Sequence, residues 1–173
     1  MNQFTYNIFL IGFMGSGKST VAEYLHKKFA MDVVEMDQII AQRQGMSISD
    51  IFETYGEPYF RDLETKLLIE MQSRSNVVVS CGGGVAMREC NVAEMKKNGR
   101  VVLLTAKPET ILERVKDNHD RPLLENHKTV AYIAELMEKR REKYEAAADL
   151  VIETDGKSAR RICEEMMRRL GEI

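Results

Sequence analysis

A glycine-rich segment near the start of the chain has the clearest chemistry in the sequence. Residues 12–19 read GFMGSGKS and match the pattern G-x-x-x-x-G-K-[ST] at every position. Glycines let backbone N–H groups turn inward around a phosphate, and the lysine that follows adds a positive charge for the outer phosphates. A hydroxyl at the last position suits Mg²⁺, which prefers oxygen ligands. The pattern predicts a nucleoside triphosphate site, with its acceptor unidentified, formed by Gly15, Ser16, Gly17, Lys18, Ser19 and Thr20.

Other segments carry charges or glycines where a parallel sheet has its ligand crevice, at the carboxyl ends of its strands. They are Glu35 with Asp37, the sequence GEPYFR at 56–61 with Glu64 beyond Arg61, and the triplet Gly82, Gly83 and Gly84. Each also has a plain structural interpretation. Asp37 suits a helix cap, Arg61 and Glu64 suit a surface ion pair, and three glycines suit a tight turn.

The elements that must position these residues alternate along the chain. Short runs rich in Val, Ile and Leu, without polar alternation, predict buried parallel strands at 8–11, 33–36, 77–81, 101–105 and 150–152. Between them apolar residues recur at helical spacing, as in Val21, Leu25 and Phe29. The alternation predicts an α/β fold, a five-stranded parallel sheet sandwiched by helices. Residues 116–128 lack this periodicity and are predicted to form a mobile loop, typical of an active-site lid.

Length and composition exclude several classes of protein. The chain has 173 residues, which predicts a single domain, and its formal net charge of -2 argues against a protein that coats nucleic acid or an anionic membrane. Its 3 cysteines are too few and too scattered for a disulfide framework or a zinc site. The apolar run at 8–14 is too short to span a membrane and lacks the flanks of a signal peptide. We therefore expect a cytoplasmic protein.

Taken together, the motifs resemble those of the shikimate kinase family. The series comprises GFMGSGKS, the acids around Asp37, GEPYFR with Glu64, GGG at 82–84, RPLL at 121–124, and Arg140 four residues before Tyr144. It runs from about residue 8 to about residue 153, and the ordered combination is far more specific than any one motif.

The resemblance implies an enzyme that transfers the γ-phosphoryl group of ATP to the 3-hydroxyl of shikimate, on the pathway to chorismate and the aromatic amino acids. It implies a P-loop NTPase fold of the nucleoside-monophosphate-kinase type, with a helical substrate-binding region at about 38–72 and a lid at about 116–128. ATP and shikimate would be the small-molecule partners and Mg²⁺ the cofactor. The protein would be a monomer, without a nucleic-acid or membrane partner.

The resemblance also implies roles for residues on the shikimate side. Asp37 would hold the ring hydroxyls and assist the attacking one, while Arg61 and Arg140 would clamp the carboxylate. Periodicity alone does not choose Arg140 over Arg141, since both flank the same apolar helical stripe and either can simply snorkel. Only the R-x-x-x-Y match selects Arg140. The glycines that would lie against shikimate are Gly82, Gly83, whose N–H would contact it, and Gly84.

On the ATP side, the resemblance implies that Arg114 stacks on adenine and that Arg121, in the lid, reaches both phosphate and substrate. Lys18 and Arg121 would act in catalysis together with Asp37. Ser19 would bind Mg²⁺ directly and Glu35 through water. Glu35 stands where the family usually has Asp, and the segment 154–158 is short where the family often has a longer, proline-containing adenine loop.

Two rival interpretations stay open. One is a P-loop kinase of another small anionic polyol, such as gluconate. The other is a nucleotide-binding relic that holds ATP and transfers nothing. A relic is expected to have lost Lys18, Asp37 or Arg121, and all of them are present.

Overall fold

The strands form one parallel sheet at the centre of the protein. The computed structural model describes residues 3–116 and 129–173. In those ranges the strands are β1 (Asn7–Ile11), β2 (Asp32–Glu35), β3 (Val77–Ser80), β4 (Gly99–Thr105) and β5 (Leu150–Glu153). They lie side by side in the order β2-β3-β1-β4-β5, and every pairing is parallel. The predicted five-stranded parallel sheet is confirmed.

The central strand β1 shows why the sheet reads as unbroken apolar runs. All of its residues are buried, with Phe9 and Ile11 in one core cluster and Ile8 and Leu10 in another. A strand covered on both faces has no solvent side on which polar residues could alternate. The predicted strand at 33–36 is wrong at its end, because Met36 is the first residue of a helix. Met36 is apolar because it is buried in the core, and the sequence pattern does not separate a buried strand residue from a buried helix residue.

Helices cover both faces of the sheet. In the described parts of the chain they are α1 (Lys18–Phe29), α2 (Met36–Gln44), α3 (Ile48–Tyr55), α4 (Glu57–Glu70), α5 (Glu89–Asn98), α6 (Pro108–Val115), α7 (Val130–Ala147) and α8 (Ala159–Leu170). α1 and α8 pack into the core that contains Leu10, whereas α4, α5 and α7 pack into the core that contains Phe9. Among the described residues, no helix has both the length and the apolar character needed to cross a bilayer.

All strands point the same way, so their carboxyl ends share one edge of the sheet. The glycine-rich loop leaves β1 there, α2 begins directly after β2, and Gly82–84 follow β3. On the other side of β1, the chain leaves β4 at Thr105 and β5 at Glu153. The chain connections from β1 lead to strands on opposite sides of it, β3 and β2 on one side and β4 and β5 on the other. In α/β proteins such a switch point opens a crevice in which ligands bind.

Candidate active site

The glycine-rich loop connects β1 to α1, as the sequence predicts. Gly17, with φ +104°, caps α1 and turns the loop into the helix. A Cβ on Gly12 would lie only 2.4 Å from the carbonyl oxygen of Leu104, so no larger residue fits there. The helix N-terminus presents backbone N–H groups and positive partial charge. The loop has the geometry of a phosphate cradle.

Lys18 is held inside this loop. Its Nζ donates hydrogen bonds to the backbone oxygens of Gly12 at 2.7 Å and Phe13 at 3.1 Å, and its side chain is buried. Beside it, the buried hydroxyl of Ser16 has no hydrogen-bond partner among the residues that the structure describes. The loop thus holds a fixed cation and a polar hydroxyl where an anion would enter.

The hydroxyl of Ser19 faces the end of β2. Ser19 Oγ donates a hydrogen bond of 3.1 Å to Glu35 Oε2. A hydroxyl beside a carboxylate is the oxygen donor set that Mg²⁺ accepts. Within residues 3–116 and 129–173, no cluster of three or more His, Cys, Asp or Glu side chains is placed to hold a metal. One hydroxyl and one carboxylate oxygen suit an ion such as Mg²⁺, which usually keeps several of its water ligands.

A cavity of about 350 Å³ opens beside the loop. It joins the loop to the ends of β2 and β3 and to the start of α3. Its lining residues are Met14, Lys18, Ser19, Glu35, Asp37, Gln38, Ala41, Ser47, Ile48, Ser80, Cys81, Gly82 and Gly83.

The glycine triplet lies under charged side chains. A Cβ on Gly82 would be 2.5 Å from Glu64 Oε2, one on Gly83 would be 3.2 Å from Arg140 Nη1, and one on Gly84 would be 2.5 Å from Arg61 Cζ. None of the three has a positive φ. The triplet does form a tight turn, in which the backbone N–H of Val85 donates to the Gly82 oxygen at 3.2 Å, so the turn alternative is confirmed. The turn itself does not require glycine, and the close approach of the charged side chains is what favours glycine at these positions.

Glu64 and Arg61 form a buried ion pair, so the alternative of a surface pair is wrong. Glu64 is 0% exposed and accepts a hydrogen bond of 2.8 Å from Arg61 Nη1. Burial raises the pKa of Glu64 to about 7, Arg61 opposes that rise, and the nearby charge of Asp37 adds to it. Glu64 Oε2 has no hydrogen-bond partner among the described residues. The carboxyl group is held beside the cavity with one oxygen committed to the arginine.

Arg61 has a second carboxylate partner and contacts two aromatic rings. Its Nη2 donates to Glu57 Oε1 at 3.0 Å, and its Cζ lies 5.3 Å from the ring centroid of Phe60 and 5.8 Å from that of Phe52. Burial lowers the pKa of the guanidinium, but Glu64 and Glu57 outweigh it and the net pKa is raised. Arg61 is therefore a permanently charged and closely positioned group.

Asp37 lies in the first turn of α2, where it is not the helix cap. The cap is Glu35, whose side chain makes no capping hydrogen bond. A Cβ on Gly82 would be 3.0 Å from Asp37 Oδ1, which brings this carboxylate next to Glu64 at the cavity. The helix-cap alternative is wrong, because α2 directs Asp37 into the cavity.

The structure distinguishes the two adjacent arginines on α7. Arg140 is 7% exposed; its Cζ lies 5.8 Å from the ring centroid of Phe13, and its Nη1 donates to Tyr144 Oη at 3.4 Å. Arg141 is exposed and pairs with Glu138 on its own helix. The Tyr144 hydroxyl also donates to the backbone oxygen of Gly83. Tyr144 thus connects Arg140 to the triplet, a role for which the spacing of four residues was the only sequence signal.

Arg114 lies beside the glycine-rich loop, at the end of α6. Its Nη1 donates to the backbone oxygen of Gly15 at 3.0 Å and to Thr154 Oγ1 at 3.2 Å. Thr154 is buried directly after β5, and sequence reasoning missed it. The other implied ATP contact, Arg121, and nearly all of the expected lid at 116–128 lie outside the described residues.

In sequence, the chain matches the shikimate kinase family along nearly its whole length. The family model SKI, described as shikimate kinase, matches residues 14–171. A shikimate kinase from Persephonella marina is 44% identical over 164 residues, which cover 95% of this chain and 98% of that protein.

Solved structures of shikimate kinases have the same fold as this chain. A shikimate kinase from Acinetobacter baumannii, in complex with shikimate, superposes with a TM-score of 0.90 at 33% identity, covering 95% of this chain and 92% of that one. A gluconokinase from Sinorhizobium meliloti reaches a TM-score of 0.62 at 18% identity, covering 98% of this chain and 94% of that one. The likeness to the gluconokinase is one of fold alone.

Proposed function

The chain belongs to the shikimate kinase family, and we propose that the cavity beside the glycine-rich loop is where the γ-phosphoryl group of ATP passes to shikimate. The chain is an ATP-dependent kinase of shikimate, not of gluconate. The roles of its individual residues are the proposal. The observation that supports them best is the glycine triplet, since each glycine lies under a different charged side chain around that cavity.

On the ATP side, Gly15, Ser16, Gly17, Lys18, Ser19 and Thr20 would hold the phosphates. Phosphoryl transfer is mostly a matter of positioning and charge neutralisation. Lys18 is already fixed inside the loop by two carbonyl oxygens, so its charge needs little reorganisation to reach the outer phosphates. Arg114 would contact the adenine. Arg121 would reach both the phosphate and the substrate and would act in catalysis.

Ser19 and Glu35 would hold Mg²⁺, with Glu35 acting through water. The bound ion would supply charge neutralisation at the phosphates. Glu35 is one methylene longer than the usual Asp, and a water layer absorbs that difference more easily than a direct bond. The hydrogen bond between Ser19 and Glu35 keeps both oxygen donors at one place without the ion.

On the shikimate side, the charges match an anionic polyol. Arg61 and Arg140 would clamp the carboxylate, since a planar guanidinium binds a carboxylate through two parallel hydrogen bonds. The Asp37 carboxylate would accept a hydrogen bond from the attacking hydroxyl and take its proton as the new P–O bond to the γ-phosphorus forms. The bond from that phosphorus to the β–γ bridging oxygen would break at the same time, and ADP would leave with the bridging oxygen. Gly82, Gly83 and Gly84 would line this subsite, and the helical substrate-binding region at about 38–72 would contribute Arg61.

Further expectations accompany the proposal. The cysteines Cys81, Cys90 and Cys163 are all free, which suits a reducing cytoplasm. ATP and shikimate are the expected partners, and the chain is expected to act as a monomer built as a single domain.

The test is an ADP-release assay on the full chain with shikimate, gluconate or shikimate methyl ester as acceptor. Shikimate should stimulate ADP release, gluconate should not, and the ester should be a poor acceptor because it lacks the charge for Arg61 and Arg140. Turnover of the ester equal to that of shikimate would remove the arginine clamp. Binding of ATP without release of ADP in the presence of any acceptor would support the relic.

A further inference from the structure

The hydroxyl of Thr154 connects three separate parts of the ATP side. Thr154 is 1% exposed and directly follows β5. Its Oγ1 has one proton, which it can donate to the backbone oxygen of Thr105 at 2.9 Å or to that of Ser16 at 3.1 Å, and it accepts a hydrogen bond of 3.2 Å from Arg114 Nη1. We infer that Thr154 is a positioning residue that sets the nucleotide affinity of the site by holding Arg114 against the phosphate loop.

A hydroxyl suits this place because one oxygen both donates and accepts. The Thr105 oxygen also accepts the backbone N–H of Thr154 at 2.8 Å, so the link to β4 does not depend on the hydroxyl. The contacts with Ser16 and Arg114 do depend on it. Removing only the hydroxyl should therefore release the loop and the arginine and leave the sheet edge in place.

Arg114 has two anchors, and Thr154 is one of them. The same Nη1 donates to the backbone oxygen of Gly15 at 3.0 Å, and a Cβ on Gly17 would lie 4.0 Å from it. The guanidinium is thus pressed against the loop that would hold the phosphates. With only the Gly15 oxygen left, the guanidinium can rotate about its long flexible stem, and ATP binding must then include the cost of ordering it.

The turn that carries Thr154 has its own attachment. Asp155 Oδ1 accepts hydrogen bonds from the backbone N–H of Lys107 at 3.0 Å and from Thr110 Oγ1 at 2.6 Å. Burial would raise the pKa of Asp155, but these hydrogen bonds outweigh it and lower the pKa. This ionised carboxylate keeps the turn joined to the start of α6. A Thr154→Val protein should therefore fold and differ from the parent mainly at Arg114 and Ser16.

The inference rests on the proposed function in one respect, the contact of Arg114 with the nucleotide. Its test is a calorimetric titration of the full chain with ADP, which reports nucleotide affinity without phosphoryl transfer. Thr154→Val should weaken ADP binding by up to about tenfold, the usual cost of ordering one long, flexible side chain on binding. Thr154→Ser keeps the hydroxyl and should stay within about twofold of the parent.

Thr65→Val is the matched control. Thr65 lies in α4, away from the phosphate loop, and its Oγ1 donates a hydrogen bond of 2.7 Å to Asn91 Oδ1 in α5. This variant therefore also loses a hydroxyl group that is hydrogen-bonded and at least partly buried. It should leave ADP affinity unchanged. In steady-state assays, Thr154→Val should raise the KM for ATP about tenfold with the KM for shikimate unchanged. A merely structural role would lower the melting temperature without this split.

A double-mutant cycle with Arg114→Ala completes the test. Thr154→Val should weaken ADP binding no further once Arg114 is truncated, because it acts through that side chain. Full additivity, equal ADP affinity of Thr154→Val and the parent, or equal losses in Thr154→Ser and Thr154→Val would each overturn the inference. If Thr154→Val does not fold, Thr154→Ala is titrated in its place. A parent that binds ADP but does not phosphorylate shikimate would defeat the proposed function and leave this test intact.

Discussion

Replacing Glu64 by Gln should make the stability of the protein less dependent on pH. Glu64 is fully buried, and burial raises its pKa from 4.5 to about 7 in the folded protein, against the opposing charge of Arg61. A carboxyl group whose pKa is higher in the folded than in the unfolded chain binds its proton more tightly when folded. The parent therefore loses stability as the pH rises from about 4.5 to about 7, and the loss is complete above that window.

The magnitude follows from the size of the shift. A pKa that rises from 4.5 to about 7 corresponds to about 3 kcal/mol between the acidic and basic limits. Between about pH 5 and about pH 8, where the unfolded carboxyl is already largely ionised at the start, about 2–3 kcal/mol of this remains. The amide of the Glu64→Gln protein does not ionise in this range. The free energy of unfolding of that protein therefore lacks the pH-dependent part that Glu64 contributes in the parent.

The assay is urea unfolding of parent and Glu64→Gln proteins at several pH values across this window. The free energy of unfolding of the parent should fall relative to that of the variant by about 2–3 kcal/mol as the pH rises. Only the change with pH tests the prediction. The difference in free energy of unfolding at any single pH also includes the effect of the substitution on the pair with Arg61. Parallel pH profiles would refute the reasoning and show that Glu64 is ionised throughout.

The same proton should affect substrate binding. A protonated Glu64 leaves more of the charge of Arg61 for the carboxylate of shikimate, so the KM for shikimate in the parent should rise as the pH passes through about 7. In the Glu64→Gln protein this KM should be flat over the same range. A KM for ATP that follows the same profile would point to a cause elsewhere in the site.

Other substitutions test the remaining roles. Lys18→Met should lower kcat by about hundredfold or more with an unchanged circular dichroism spectrum, because it removes charge at the phosphates; near-normal turnover would sink that role. Arg140→Lys should raise the KM for shikimate about tenfold, whereas Arg141→Lys should stay near the parent; the reverse order would assign the carboxylate contact to Arg141. Glu35→Ala should raise the Mg²⁺ concentration needed for half-maximal rate with the KM for shikimate unchanged; a titration that overlays the parent would remove Glu35 from the site.

The sheet could be predicted from the sequence because burial on both faces leaves a simple trace. Strands such as β1 are continuous apolar runs, and their order of appearance with helices between them indicates parallel pairing. The ends of strands were harder to predict. Met36 continues the apolar run of β2 and yet begins α2, since hydrophobicity reports burial and not the local conformation.

Two of the helices that were not predicted differ in the signal they offer. α8 buries Ile162, Cys163, Met166 and Met167 at regular helical spacing, so the periodicity that identifies α1 would have identified it too. α5 has no comparable stripe: its buried residues are Asn91 and Met95. A short helix that buries one apolar side chain is held by its contacts with neighbouring elements, and a window of sequence contains none of those contacts.

The site shows the same division between local and distant signals. The phosphate loop is contiguous, so its pattern could be read directly. The reason for the glycine triplet could not, because Glu64, Arg140 and Arg61 approach it from distant parts of the chain. Thr154 gave no signal at all, since its hydroxyl contacts residues 40, 49 and 138 positions away.

The two arginines proposed for the carboxylate of shikimate are held in different ways, and this difference should divide their work. Arg61 is paired with two carboxylates, Glu57 and Glu64, which neutralise much of its charge. Among the described residues, Arg140 forms no ion pair and rests instead on the ring of Phe13 and the hydroxyl of Tyr144. Neutral supports leave its charge available, so Arg140 should supply most of the long-range attraction for the anion. Arg61 should supply geometry, with an affinity that depends on whether Glu64 holds its proton.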